Sequence, residues 1–116
     1  MTTQVLIVDD SQPMRELLKM TLAGVAEVVG ECADGADALA AYTQLQPDWV
    51  LMDVEMKKVD GITATRQITA AYPQARVLIV TDYTDVELRQ AAHEAGAFWY
   101  IVKENLIDIL EVLPKA

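Results

Sequence analysis

The chain has 116 residues, 53% of them hydrophobic, and a formal charge of −9. This length predicts a single domain over 1–116 with a core that buries roughly two-thirds of the unfolded surface, and the negative charge argues against direct nucleic-acid binding because phosphates are repelled. No apolar run approaches the ~20 residues of a membrane span and no signal peptide opens the chain, so we expect a cytoplasmic protein without membrane contact.

Short apolar runs alternate with segments of helical periodicity along the chain, five of each. This alternation predicts an α/β fold in which helices cover both faces of a doubly wound parallel sheet. The first strand is predicted at about 5–8, and the first helix follows with Ser11 as its cap and Pro13 in its first turn. The positions of that helix expected to face the core are Met14, Leu17, Leu18, Thr21 and Leu22.

The second strand is predicted within 25–32, where acidic residues interrupt the apolar ones, as happens near a sheet edge. An Asp-Gly turn follows at 34–35, and helix two then runs to Pro47, which disfavours helix at the residue before it. The central strand lies in the run 47–53, which ends on the carboxylate of Asp53. Because aspartate is rarely buried without a partner, Asp53 is expected where this strand leaves the core.

The second half of the chain continues the alternation. The predicted elements are, in order, a loop over 54–61, helix three over 62–72, strand four over 76–81, helix four preceded by a capping segment at 82–85, and strand five over 98–102. A final helix is predicted from the periodicity of its apolar side chains, which are Leu106, Ile109, Leu110 and Leu113.

The predicted strands share a change from apolar to charged or hydroxyl side chains where they end. In doubly wound sheets, ligands bind just beyond the carboxyl ends of the strands. Mg²⁺ prefers one or two carboxylates together with water and phosphate oxygens, so the acids at these ends predict a magnesium site. The residues at the strand ends are Asp9 and Asp10 after strand one, Asp53 after strand three, Thr81 after strand four and Lys103 after strand five.

Phosphoryl transfer is the chemistry that this set of residues favours. An aspartate carboxylate can accept a phosphoryl group and form an acyl phosphate, and Asp53 is the candidate nucleophile. Mg²⁺ and the ammonium of Lys103 would neutralise the charge of the transferred group. The hydroxyl of Thr81 would then donate a hydrogen bond to one of the phosphoryl oxygens.

In this order, these residues resemble the receiver domains of two-component response regulators, and the resemblance spans essentially the whole chain. It implies a flavodoxin-like (βα)5 fold with a five-stranded sheet of order 2-1-3-4-5. It also implies that Tyr100 is the aromatic side chain that moves as Thr81 is drawn toward the phosphate. The implied sites are a metal site of Asp9, Asp10, Asp53 and the main-chain carbonyl of Glu55, a phosphoacceptor at Asp53, and phosphoryl contacts at Thr81 and Lys103.

The function implied by the resemblance is that of a regulatory domain rather than an enzyme. Such a domain takes a phosphoryl group from a sensor histidine kinase and takes part in its own phosphotransfer and dephosphorylation. Its output would be a repacked face of helix four, strand five and helix five that controls a partner or a homodimer. Gly96-Ala97 and Lys103-Glu104 resemble the subfamily whose receivers precede a helix-turn-helix DNA-binding domain. The resemblance therefore implies transcription regulation through an output domain outside this sequence, and a receiver that acts alone stays open as the alternative.

Four residues at three places depart from the pattern of the family. Lys57 stands where proline is usual and is followed by Lys58, and Asp82 replaces a small residue on the route of the phosphodonor. Glu104 follows the site lysine, where the family has a proline in a cis bond. These departures keep open an alternative function, a receiver-like interaction module that works without phosphorylation.

Two further functions share parts of this pattern. A flavodoxin-like nucleotide binder would have the same strand order, but acids after strand one would repel the cofactor phosphate. An aspartate-dependent phosphohydrolase would share the chemistry of Asp53, but it would need turnover of external phosphoesters.

The single cysteine, the two tryptophans and the single histidine are expected to have no part in the chemistry of the site. Cys32 cannot form an internal disulfide and is expected as a small buried side chain. Trp49 and Trp99 are expected to pack, and His93 is expected on a helix surface. For Tyr100, covering an edge strand remains an alternative to a switching role.

Overall fold

The computed structural model describes residues 2–114 and contains, within them, five strands and five α-helices. The strands are β1 Thr3–Val8, β2 Ala26–Cys32, β3 Trp49–Met52, β4 Val77–Thr81 and β5 Trp99–Val102. The helices are α1 Gln12–Leu22, α2 Ala38–Leu45, α3 Gly61–Ala71, α4 Val86–Glu94 and α5 Ile109–Val112. Short 3-10 helices occupy Gly35–Asp37 and Lys103–Asp108.

The strands form one parallel sheet in the order β2-β1-β3-β4-β5. The predicted flavodoxin-like fold and strand order are therefore confirmed. The two strands β3 and β4 are buried along their whole length, because helices cover both faces of a parallel sheet. In contrast, β2 lies at an edge and keeps most of its side chains partly exposed, as its mixed composition predicts.

The sheet divides the core into two apolar clusters, because alternate side chains of a strand point to opposite faces. Leu6 and Val8 belong to the cluster covered by α2, α3 and α4, whereas Val5 and Ile7 belong to the cluster covered by α1 and α5. This two-sided packing fixes the register of β1, since a slip of one residue would exchange its two faces. The ends of the strands are thereby held at defined positions.

Two of the helices, α1 and α3, begin where a side chain accepts hydrogen bonds from their first amides. The hydroxyl of Ser11 accepts from the amide of Met14 at 3.2 Å, and the carboxylate of Asp60 accepts from the amide of Thr63 at 2.9 Å. The expected capping segment before α4 is different, because Asp85 stands at the cap position without a side-chain hydrogen bond.

Several predicted packing positions are confirmed and two are wrong. Cys32 and Trp49 are buried and His93 is exposed, as expected. Trp99 is 60% exposed on the edge strand β5, where no further strand covers it, so its expected packing role is wrong. Leu17 is 43% exposed because it lies at the border of the apolar face that Leu18 and Leu22 bury.

The predicted final helix is much shorter than the periodicity of 106–113 indicates. Residues Lys103–Asp108 form a 3-10 segment, and α5 covers only Ile109–Val112. Asn105 has non-helical backbone angles of φ −119° and ψ 48° within that segment. Asparagine competes well for such conformations through its side chain, so the regular helix begins only after it.

The longest of the helices span 11 residues. Within residues 2–114, no helix has the length and apolar character needed to cross a bilayer.

Candidate functional site

Three carboxylates meet where β1 and β3 end. Val8 pairs with Met52 in the sheet register, and the amide of Asp53 donates to the carbonyl of Val8 at 2.8 Å. This pairing brings the side chain that follows β1 beside the side chain that follows β3. Oxygens of Asp9, Asp10 and Asp53 lie within 4.8 Å of one another, as the strand ends predict.

Two of these three acids are buried, which makes their closeness costly. Asp9 is 1% exposed and Asp53 is 7% exposed, whereas Asp10 faces solvent. Burial, and next the charge of Asp9, raise the pKa of Asp53 from its ordinary value of 3.8 to about 6. The site therefore favours a cation among these carboxylates.

Lys103 supplies part of that positive charge. Its Nζ lies 3.1 Å from Oδ2 of Asp9 and 3.3 Å from Oδ1 of Asp53. Burial opposes the charged form of Lys103, but the neighbouring carboxylates of Asp53 and Asp9 outweigh it and raise the pKa of the lysine. The peptide bonds of residues 2–114 are all trans, so Lys103 reaches both acids with a trans bond to Glu104.

The hydrogen bonds of the acids leave room for a further cation. Oδ1 of Asp9 accepts from the amide of Ser11 at 2.8 Å, and Oδ1 of Asp53 accepts from the amide of Val54 at 2.9 Å. Oδ2 of Asp9 is buried and receives no well-directed hydrogen bond, although Lys103 lies near it. Because buried carboxylate oxygens normally have partners, and oxygen ligands suit Mg²⁺, the residues present fit a magnesium ion.

A cavity of about 560 Å³ opens over these acids. It is lined by Asp10, Ser11, Met14, Asp53, Glu55, Met56, Lys57, Thr81, Asp82, Tyr83 and Lys103. The exposed residue Glu55, whose main-chain carbonyl is the implied metal ligand, thus lies at the site. Two of the departures from the family pattern, Lys57 and Asp82, line the same cavity.

Thr81 and Tyr100 are linked through the main chain of Tyr83, a residue that no sequence motif marks. Thr81 is 1% exposed at the end of β4, and its Oγ1 accepts from the amide of Tyr83 at 3.3 Å. The hydroxyl of Tyr100 donates to the carbonyl of Tyr83 at 2.8 Å, and the Tyr100 side chain is 8% exposed. Tyr100 is thus buried and hydrogen-bonded, rather than lying over the open edge of the sheet with Trp99.

Tyr83 was not predicted because it contacts Thr81 and Tyr100 through its main-chain amide and carbonyl, which give no signal of residue type. Its position two residues after the strand-end threonine was the available signal. Of the side chains expected at the strand ends, Asp10, Asp53, Thr81 and Lys103 line the cavity, and Asp9 lies beside them next to Lys103. Tyr100 is not among the lining residues and is linked to them through the carbonyl of Tyr83.

A family model described as response regulator receiver domain matches residues 5–113. The response regulator protein VraR of Staphylococcus aureus is 40% identical over 118 aligned positions, which cover 99% of this chain and 56% of VraR. The transcriptional regulatory protein DegU of Brevibacillus brevis is 37% identical over 109 positions, which cover 92% of this chain and 46% of DegU. The chain thus spans about half the length of these curated relatives.

Solved structures resemble the fold over almost the whole chain. A LuxR-family two-component response regulator from Aurantimonas sp. superposes with a TM-score of 0.89 at 32% identity, covering 97% of this chain and 84% of that chain. The response regulator domain of Thermotoga maritima CheB superposes with a TM-score of 0.86 at 30% identity, covering 97% of this chain and 90% of that chain. The fold, the clustered strand-end residues and these matches lead to one conclusion: this chain belongs to the response regulator receiver domain family of two-component systems.

Proposed function

We propose that this receiver domain accepts a phosphoryl group on Asp53 from the phosphohistidine of a sensor histidine kinase. The observation that carries the proposal is the position of Asp53, a nearly buried carboxylate at the floor of an open cavity, with Lys103 3.3 Å away and two further acids beside it. This arrangement provides a nucleophile together with the charges that transfer of a phosphoryl group needs.

Each side chain has a defined part in the transfer. A carboxylate oxygen of Asp53 forms the bond to phosphorus as the phosphorus–nitrogen bond of the donor breaks, and the electron pair of that bond stays on the imidazole nitrogen. The ammonium of Lys103 now lies beside the carboxylates of Asp9 and Asp53. It is near enough to pair with the phosphoryl oxygens once Asp53 becomes an acyl phosphate. Thr81 turns its hydroxyl from the amide of Tyr83 toward a phosphoryl oxygen.

Asp9, Asp10 and Asp53 would hold the Mg²⁺, with the carbonyl of Glu55 as a further ligand. The ion supplies positive charge that neutralises the acids and the incoming phosphoryl group. Asp9 is the most constrained of the three acids, because its main-chain carbonyl also accepts from Nη1 of Arg15 at 2.7 Å.

The output of the domain passes through Tyr83. A Thr81 hydroxyl that leaves the amide of Tyr83 frees the loop whose carbonyl receives the hydroxyl of Tyr100. The movement of the Thr81 hydroxyl and the release of the Tyr83 loop both change the packing of α4, β5 and α5. This face then controls a partner or a homodimer. We propose that this output regulates transcription through a DNA-binding domain, that the domain works in the cytoplasm, and that it turns over no external substrate.

Intact-mass measurement after incubation with acetyl phosphate tests the proposal. We expect a phosphoryl adduct that depends on Mg²⁺ and that is absent from the variant Asp53→Asn. The matched control is Asp82→Asn, which removes another carboxylate lining the cavity and should keep the adduct. An adduct that persists in Asp53→Asn would show that another residue is the acceptor.

A second candidate function is a phosphorylation-independent interaction module. The observation that favours it is the exposed Asp82 at the mouth of the cavity, which places negative charge on the route of an anionic donor. This function predicts no adduct in the wild-type protein and equal partner binding by wild type and Asp53→Asn, with or without Mg²⁺.

A further inference from the structure

Asp34 connects two loops that the sheet topology does not join. It follows β2 by two residues and is 9% exposed. Its Oδ1 accepts from the amide of Ala36 at 2.9 Å, a bond within its own turn. The same carboxylate accepts from the amides of Lys58 at 2.9 Å and Val59 at 3.0 Å, which belong to the loop that follows β3.

The charge of Asp34 is satisfied by main-chain donors. The amides of Ala36 and Lys58 lower its pKa from 3.8 to about 2, against the effect of burial, and the amide of Val59 adds to them. An ionised carboxylate that accepts several amides forms stronger hydrogen bonds than a neutral acceptor does. Asp34 is therefore a firm anchor for the loop at neutral pH.

The two loops also touch through their backbones. A Cβ built on Gly35 would collide with the carbonyl of Val59, so the close approach requires a glycine at this position. Asp34 and Gly35 therefore do more than form their own turn. The aspartate binds the neighbouring loop, and the glycine lets that loop come close.

The anchored loop starts at the phosphoacceptor. It runs from Val54 to Asp60, and its residues Glu55, Met56 and Lys57 line the cavity over Asp53. At its far end, the amide of Gly61 donates to the carbonyl of Val54 at 2.8 Å and closes the loop on itself. Between Val54 and Gly61, Asp34 is the side chain that accepts hydrogen bonds from the main chain of the loop. No other side chain does so among the described contacts of residues 2–114.

We propose that Asp34 is a positioning residue that holds the 54–60 loop over the cavity and thereby sets the affinity of the site for Mg²⁺. The proposal rests on the proposed function for the metal, but its effect on the loop can be measured without any metal. Asp34 is not among the residues that line the cavity. It acts by fixing the main chain that carries the carbonyl of Glu55.

The test compares three variants with the wild-type protein. Asp34→Asn keeps the size of the side chain but removes its charge and one acceptor oxygen. Asp34→Ser keeps an oxygen for the amide of Ala36 and is too short to reach the loop. The matched control is Asp60→Asn, which alters an acid of the same loop whose carboxylate bonds only the amide and hydroxyl of Thr63 among the described contacts.

Two measurements separate positioning from simple destabilisation. Amide hydrogen exchange by nuclear magnetic resonance, without divalent ions, should be faster for Lys58 and Val59 in both Asp34 variants and unchanged in Asp60→Asn. Titration calorimetry should show Mg²⁺ affinity weakened about tenfold in the Asp34 variants, a size typical of residues that orient metal ligands. Asp60→Asn should keep its helix cap, because asparagine can still accept from the amide of Thr63, and it should keep its Mg²⁺ affinity.

The outcomes are distinct. Unchanged exchange at Lys58 and Val59 in Asp34→Ser, or unchanged Mg²⁺ affinity despite faster exchange, would overturn the proposal. Equal loss of affinity in Asp60→Asn would overturn it too, because general loosening of the loop would then explain the result. Failure of the wild-type protein to bind Mg²⁺ would instead contradict the proposed function, and it would be seen before any variant is made.

Discussion

Burial and the charge of Asp9 make the ionised form of the Asp53 carboxyl group unfavourable, even with Lys103 beside it. Its pKa of about 6 means that the folded state holds a proton which the unfolded chain, with a pKa of 3.8, has released. Between these two values, raising the pH lowers the free energy of unfolding, because only the folded state must give up that proton. The cost is absent below about pH 4 and complete by about pH 7.

Asp53→Asn should therefore stabilise the protein at neutral pH in the absence of divalent ions. We expect a gain in the free energy of unfolding of about 3 kcal/mol at pH 7.5, which shrinks toward zero near pH 4. Urea unfolding of both proteins across this range measures it. Saturating Mg²⁺ should reduce the gain, since the metal stabilises only the site with the intact acid. An equal gain near pH 4 and at pH 7.5 would show that the raised pKa of Asp53 is not its cause.

At the level of single residues, the sequence predicts those side chains that act through their own charged or hydroxyl groups. Asp9, Asp10 and Lys103 could be placed together because they follow predicted strands, and the carboxyl ends of parallel strands share one edge. Asp34 and Tyr83 could not, since Asp34 binds main-chain amides and Tyr83 offers its own amide and carbonyl. Main-chain partners have no signature in the sequence unless a local motif such as the helix cap at Ser11 predicts them.

Among the elements, the strands were predictable and the last helix was not. Uninterrupted apolar runs such as 49–52 leave few alternatives to a strand buried on both faces, and the structure buries all four residues. The periodicity of 106–113 predicts which side chains face inward, and Ile109 and Leu113 are indeed buried. It does not predict that the helix breaks at Asn105, because the pattern of buried faces survives a local change of backbone.

The start of α3 lies against Asp53, the proposed phosphoacceptor. Gly61 is the first residue of α3, and a Cβ there would collide with the carbonyl of Asp53 and press on the side chain of Met52. Gly61→Ala should lower the free energy of unfolding by about 1–3 kcal/mol, a cost typical of overpacking. It should also slow adduct formation, because the carbonyl that must move belongs to the acceptor residue.

Gly24→Ala is a suitable control for this junction. Gly24 has a φ of 78° but open space around its Cβ position, and it lies between α1 and β2 at the opposite end of the sheet. Its substitution should cost about 1 kcal/mol through backbone strain and leave the rate of adduct formation unchanged. Urea unfolding and intact mass measure both effects. Equal rates for the two variants would show that Gly61 does not hold the acceptor in place.

Over the whole molecule, the excess of acidic residues acts against an anionic donor. The formal charge is −9, and the cavity itself is lined by the carboxylates of Asp10, Asp53, Glu55 and Asp82. Of the lysines that line the cavity in the described part of the chain, Lys103 is already paired with two acids. Lys57 is the exposed one, so under the proposed function it is the cation that an approaching phosphodonor would meet.

Lys57→Gln should therefore slow phosphorylation by acetyl phosphate about two- to fivefold at low salt, a size typical of one exposed charge. The matched control is Lys58→Gln, which changes the net charge equally at a residue that is not among those lining the cavity. The difference between the two variants should shrink as salt rises to about 0.5 M, because exposed charges are screened. Rates are measured by intact mass at several times. Equal slowing in both variants would mean that net charge, rather than the position of Lys57, governs the approach of the donor.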